Sequence, residues 1–201
     1  MQRIAVVTGA SSGIGAAIAR ALARRDWSCV LLARREERLR ELAAELGAAY
    51  EVCDVTDRTA LEAVAARHPQ VSLLVNNAGI PGRAGFLAAD PEQIERVLRT
   101  NYLGAVWCLR AFLPALEAAA PADVVNVVSV AGTVTLPASG PYAADYARLQ
   151  QQRQPKRDRP YTPNLHSKRL SGIRGKAPSH SATAATMPTA LAARAAGPLT
   201  D

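Results

Sequence analysis

Short apolar runs alternate with longer stretches of helical period along most of this chain. Ile4-Ala5-Val6-Val7 predicts a strand over about 4–7, and the alanine-rich pattern through Ile18 and Leu22 predicts a helix over about 13–25. Ser28-Cys29-Val30-Leu31-Leu32-Ala33 is almost continuously apolar, which predicts a strand over 28–33 covered on both faces, as in a parallel sheet. A helix over 36–46 carries Leu39, Leu42, Ala43 and Leu46 on one face, and Gly47 suits the residue just past its end. A strand over 49–53 and a helix over 57–67 follow, with Thr56 as the expected cap and Pro69 as the stop. The next strand is expected over 71–75.

After a Gly/Pro/Ala loop over 80–89, Asp90-Pro91-Glu92-Gln93 reads as a helix start, with Asp as cap, Pro in the first turn and Gln93 in the capping-box position. Ile94, Val97, Leu98, Leu103, Val106, Leu109 and Leu113 are the expected apolar stripe of that long helix. Asn101, close to Gly104, is locally unfavourable inside it and predicts a kink or a functional polar group. A fifth strand is expected over 123–128. Strands alternating with helices in this way predict an α/β fold built on a parallel sheet.

The chemistry concentrates at the strand ends. Between the first strand and its helix lies Thr8-Gly9-Ala10-Ser11-Ser12-Gly13-Ile14-Gly15. Glycines there allow a sharp turn and close backbone approach to a pyrophosphate, and the following helix offers unpaired N–H groups and a positive dipole end. Ser11 and Ser12 add hydroxyl donors. Without a ligand, the same residues are merely a Gly-rich turn. Arg34-Arg35 close the second strand, about 20 residues beyond the glycines, where a dinucleotide fold meets the adenosine ribose. An arginine there favours the 2′-phosphate of NADP, an acid the 2′-hydroxyl of NAD; with no acid present, NADP(H) is expected over NAD(H), through Arg34. The plainer reading makes both arginines solvated charges paired with Glu36 and Glu37.

The pattern TGxxxGxG, followed in order by Asn76-Asn77-Ala78-Gly79 after the fourth strand, resembles the short-chain dehydrogenase/reductase family. The resemblance covers residues 1–144 and implies a Rossmann-type doubly wound parallel sheet with strand order 3-2-1-4-5; the family's later strands find no match beyond 144, so the sheet is expected to be truncated after the fifth strand. It implies cofactor contacts from Gly9, Ser11, Ser12, Gly13, Ile14 and Gly15, from Asp54 and Val55 at the adenine, and from Asn77, Ala78 and Gly79. Asp54 also reads as a turn or capping aspartate. The family's catalytic set falls on Asn101, which would order a relay water, on Ser129 after the fifth strand, and on Tyr142. The reaction implied is hydride transfer between NADP(H) and a carbonyl or alcohol substrate.

The pattern departs from the family at Tyr142-Ala143-Ala144-Asp145-Tyr146, where a lysine is expected four residues after the tyrosine and Tyr146 stands instead. An ammonium at that place favours the ionised tyrosine and binds the nicotinamide ribose; a phenol does the second weakly and the first hardly at all. The alternative reading is therefore a dinucleotide-binding protein without turnover, or the inactive product of an altered dehydrogenase gene.

Charge sharpens that boundary. The 201 residues carry a net charge of +7, with 49% hydrophobic content. Residues 1–144 hold 14 arginines, no lysine and 14 acids, and so balance; residues 145–201 hold ten basic residues and three acids. Residues 145–201 therefore read as a separate, divergent basic tail, polar and without period beyond Pro155 and disordered. A change of reading frame, a genuine extension and a nucleic-acid-binding arm all produce such a tail; the last is disfavoured by sparse aromatics and dispersed charge. The resemblance implies a homo-oligomer, but the helices that would pair subunits find no match here, and the oligomeric state is left open. Cys29, Cys53 and Cys108 lack metal-ligand spacing and read as reduced core residues; no metal site is expected, and the three histidines receive no role. No signal peptide or membrane span is recognisable, and the expectation is a cytoplasmic protein.

Overall fold

The computed structural model describes residues 3–82, 85, 87–133 and 140–151. The basic segment beyond 151 lies outside the described residues, as does most of the separate 145–201 tail expected above.

Five parallel strands form one sheet in the order β3-β2-β1-β4-β5. They are β1 (Ile4–Thr8), β2 (Ser28–Ala33), β3 (Ala49–Val52), β4 (Leu73–Asn76) and β5 (Asp123–Asn126). Helices α1 (Gly13–Ala23) and α2 (Glu36–Leu46) cover one face; α3 (Arg58–Arg67) and α5 (Gly104–Ala118) cover the other. The α/β doubly wound reading therefore holds. In β1, Val6 faces α3 and α5 with Val30, Leu32 and Leu74, whereas Ala5 and Val7 face α1 and α2 with Leu31, Leu73 and Val75. Side chains alternate across each strand, so a run apolar at every position supplies two cores at once. Alanines at 16 and 19 of α1 let that helix lie close on the sheet, while Leu22 fills the end of the interface.

Several boundaries move for local reasons. Helix α1 stops at Ala23 rather than 25 because Asp26 adopts a left-handed φ of 59° after a tightening turn. The cap of α3 is Asp57, whose side chain accepts from Ala60 N; Thr56 instead donates to Asp54. Val71 is fully buried, but its N–H donates to Ala115 O in α5, so β4 begins two residues later than expected. Gly47 ends α2 at φ 61°, and the Asp90 carboxylate caps α4 (Pro91–Val97) by accepting from Glu92 N, as predicted.

The largest difference lies between α4 and α5. Leu98–Leu103 is a π-helical segment. Its extra residue rotates the downstream helix, so α5 buries Gly104, Cys108, Phe112, Ala115 and Leu116 rather than the stripe expected through Val106, Leu109 and Leu113. The same insertion turns Asn101 inward, to 2% exposure. Among the described residues β5 is an edge strand, with Val125 36% exposed.

Candidate functional site: the carboxyl edge of the sheet

The connection from β3 to β4 crosses back over β1, so the sheet changes direction between β1 and β4. Open α/β sheets take ligands in the crevice outside that point. A cavity of about 630 Å³ lies there, running from Ser11 and Arg34 at one end to Ser129, Tyr142 and Tyr146 at the other.

The loops at this point are tied to each other. Thr8 Oγ1 donates to Val75 O at 3.3 Å and accepts from Asn77 N and Ala78 N at 2.9 and 3.0 Å. Asn77 Nδ2 donates back to Thr8 O at 3.0 Å and Gly9 O at 3.4 Å. Asn76 Nδ2 reaches Asn126 Oδ1 at 2.9 Å, joining β4 to β5. The glycines make this lacing possible. A Cβ on Gly15 would sit 2.5 Å from both Asn77 Nδ2 and Gly9 O, and one on Gly9 2.8 Å from Ala78 Cα. Gly15→Ala is therefore expected to cost about 1–3 kcal/mol by overpacking. Thermal melts check it, and an unchanged midpoint would show that the loop yields.

Gly13 adopts φ +56° with open space where a side chain would stand, and Ser12 caps α1 through no side-chain hydrogen bond. The first N–H groups of α1 therefore remain directed at the cavity beside Ser11, Ser12 and Ile14. That donor set suits the phosphates of an adenine dinucleotide.

At the end of β2 the two arginines take separate partners. Arg35, not Arg34, reaches the glycine loop: its Nε and Nη2 donate to Ser11 Oγ at 3.1 and 2.8 Å, and Nη2 donates to Ser12 Oγ at 2.6 Å. Arg34 Nη1 lies 3.5 Å from Asp54 Oδ2. The predicted pairing with Glu36 and Glu37 is not what forms: Glu37 holds Arg40. Asp54 Oδ1 accepts from Thr56 N and Oγ1, both at 2.9 Å. Partial burial alone would raise the Asp54 carboxyl, but the Thr56 donors and the Arg34 charge bring it below the usual aspartate range. Val55 is buried beside it, against the place where a Cβ on Gly104 would be 2.6 Å from Val55 Cγ2. Cys53 also lines the cavity; burial foremost raises its thiol to about 11, which keeps it unreactive.

The opposite end is held by helix α6 (Gly140–Gln151) and the turn Val130–Gly132. A Cβ on Gly132 would come within 2.7 Å of the Tyr146 carbonyl carbon, and one on Gly82 within 3.1 Å of Tyr142 Cβ. Backbone thus presses on backbone here and fixes where α6 presents its tyrosines. Ser129 Oγ accepts from Ala131 N at 3.2 Å. Asn101 clamps Ile80, accepting from its N–H at 2.8 Å and donating to its carbonyl at 3.0 Å. The Tyr142 and Tyr146 rings meet edge to face, 4.6 Å between centroids. Burial first, then the neighbouring Tyr142 and Asp145, pushes the Tyr146 phenol well above the usual tyrosine range. Asp145 is 1% exposed, and neither carboxylate oxygen has a hydrogen-bond partner among the described residues.

This arrangement can be set beside known proteins. The family model described as short chain dehydrogenase matches residues 3–149. The chain belongs to the short-chain dehydrogenase family. A sulfoacetaldehyde reductase of Chromohalobacter salexigens is 41% identical over 166 residues, covering 75% of this chain and 64% of that protein. An NADP-dependent 3-hydroxy acid dehydrogenase of Shigella flexneri is 34% identical over 155 residues, covering 74% and 62%. An actinorhodin polyketide ketoreductase solved with NADPH superposes at a TM-score of 0.71 with 32% identity, covering 75% of this chain and 62% of that one. The chain spans 48% to 67% of the length of the first relatives it matches.

The cleft is lined by all the candidate site residues read from the sequence except Gly13, which is exposed, and Gly15 and Asn101, which are buried behind its walls. Sequence reasoning placed Arg34-Arg35 at this end but chose Arg34 rather than Arg35, and it missed Thr8 as a site-building group and Gly82 and Gly132 as the seats of α6. Thr8 left a signal as the first residue of the glycine pattern, and Arg35 as the neighbour of Arg34. The three cysteines are buried and free, as expected. His68, given no role, pairs with Glu51 at 2.9 Å beside Arg67, away from the cleft. Among the described residues no cluster suits a metal, and no helix is long and apolar enough to cross a membrane.

Proposed function

We propose that this family member binds NADP(H) and belongs to the reductases acting on a carbonyl, or in reverse on an alcohol. The observation that carries the cofactor preference is the Arg35 guanidinium bonded to Ser11 and Ser12, with Arg34 beside it and no acid closing β2. It places a second positive group at the uncapped start of α1, where a ribose 2′-phosphate would meet it. The NADP-dependent relative and the NADPH-bound neighbour support the same reading.

The backbone of Gly9–Gly15 would receive the diphosphate, and Asp54 and Val55 the adenine. The nicotinamide supplies or accepts the hydride. Ser129 would hold the substrate oxygen, and the Tyr142 hydroxyl would deliver or take its proton. Asn101 holds Ile80 in place along that wall, with both ends of its amide engaged.

Arg35→Ala is expected to weaken NADPH binding about tenfold, the value of one lost charge-assisted contact, and to leave NADH binding unchanged. Equal losses for both cofactors, read by quenching of protein fluorescence, would remove the 2′-phosphate role. A second reading, cofactor binding with little or no turnover, is favoured by one observation: Tyr146 stands one helical turn from Tyr142, where no cation assists the proton transfer.

A further inference from the structure

The two ends of the cleft are built unequally. At the adenosine end, donors stand unspent. The N–H groups that open α1 face the cavity without a side-chain cap. The described bonds of Arg35 run through Nε and Nη2, which leaves its Nη1 hydrogens for an incoming oxyanion. The Arg34 side chain is 67% exposed and only loosely held by Asp54.

At the other end, most polar groups are already engaged within the protein. Both ends of the Asn101 amide are taken by the Ile80 backbone. Thr8 and Asn77 are committed to each other's strands, and Ser129 Oγ caps Ala131. A Cβ on Gly79 would meet the Tyr146 hydroxyl at 3.2 Å and Asn101 Oδ1 at 3.3 Å, so the phenol tip lies against that wall. No charged side chain lines this end among the described residues; every charged group lining the cleft belongs to Arg34, Arg35 or Asp54. A ribose and carboxamide seated here must break existing bonds or bury hydroxyls without partners, at about 1–3 kcal/mol for each group left unpaired.

We infer that the cleft takes its ligand by the adenosine half alone, as a binder of 2′-phosphorylated adenosine diphosphates in which an attached nicotinamide riboside adds no affinity. The inference rests on the NADP(H) reading above and narrows it. Oxyanions meet donors at one end, and a nicotinamide riboside meets a closed pair of aromatic rings at the other. Such a site does not discriminate oxidised from reduced cofactor, and it accepts fragments that lack the ring.

The test is calorimetric titration of the full chain with four probes: 2′-phospho-ADP-ribose, ADP-ribose, NADP⁺ and NADPH. The dissociation constants of 2′-phospho-ADP-ribose, NADP⁺ and NADPH are expected to agree within about threefold, with ADP-ribose at least about tenfold weaker. NADPH binding about tenfold or more tighter than 2′-phospho-ADP-ribose overturns the inference and leaves the NADP(H) reading standing. ADP-ribose binding as tightly as its 2′-phosphorylated form, or no binding by any probe, overturns both. Tyr146→Lys tests the cause: it should tighten NADPH about tenfold relative to 2′-phospho-ADP-ribose. A folded variant whose ratio stays at that of the wild type, by the same titration, excludes Tyr146 as the closing group and overturns the account.

Discussion

Tyr146→Lys is expected to raise the rate of NADPH-linked carbonyl reduction by about 10²–10⁴-fold, the usual value of well-tuned general acid–base help. Position 146 lies four residues after Tyr142 in α6, so both side chains leave the same helix face. In the native chain the neighbour of the Tyr142 ring is a second phenol, half-buried and held neutral, 4.6 Å away between centroids. It brings no positive charge to an ionising Tyr142. An ammonium at the same place does, and it brings three hydrogen-bond donors where the phenol has one. The substitution gives up an aromatic contact worth about 0.5–1.5 kcal/mol, small beside the expected gain in rate. NADPH consumption over a panel of aldehydes and ketones is the measurement. Tyr146→Phe is the control, because it keeps the ring and adds no charge; its rate should stay at the level of the native chain. A lysine variant that is folded and no faster would show that Tyr142 is not the proton donor, or that α6 does not present it to substrate.

Asp145→Asn is expected to stabilise the protein at neutral and alkaline pH and to have no such effect in acid. Asp145 is 1% exposed with both oxygens unpartnered among the described residues, and burial raises its carboxyl to about 7. An unfolded aspartate titrates near about 3.9. Between those values the folded state keeps a proton that the unfolded state has released. The stability contributed by the protonated acid is thus complete below about pH 4 and is lost as pH rises through about 7. Asparagine resembles the neutral acid in shape and cannot ionise. Its advantage should grow across that window to about 2–4 kcal/mol at pH 8, or about 4–10 °C in melting midpoint. Melts of both proteins from pH 4 to pH 9 check this. A constant difference across the range would mean that Asp145 is ionised throughout and finds a partner in the folded protein.

Much of the fold was legible because its signals are local. The β1–α1–β2–α2 half follows from runs of six residues or fewer, a glycine turn and one amphipathic face, and its boundaries moved by two residues at most. Strand order followed from the family resemblance that the succession of motifs carried. The second half was less readable. A π-helical insertion at Leu98–Leu103 has no periodic signature, because one extra residue in a single turn leaves the flanking patterns intact while rotating one against the other. The stripe through Val106 and Leu109 therefore looked like the core, although Cys108 and Phe112 occupy it.

The candidate site divides in the same way. The chain by itself determined which chemistry is present: glycines and serines at the first turn, arginines and no acid at the end of β2, a serine and a tyrosine in order, and no lysine after that tyrosine. Tertiary structure decided which of these groups meet. Arg35 rather than Arg34 reaches Ser11 and Ser12 because the direction of a side chain leaving a strand end depends on the loop packed across from it. Asp145 reads as an ordinary polar residue, and only the seating of α6 on Gly132 buries it without a partner. Periodicity is a property of neighbours along the chain, whereas contact, burial and charge state are set by residues that the chain alone leaves far apart.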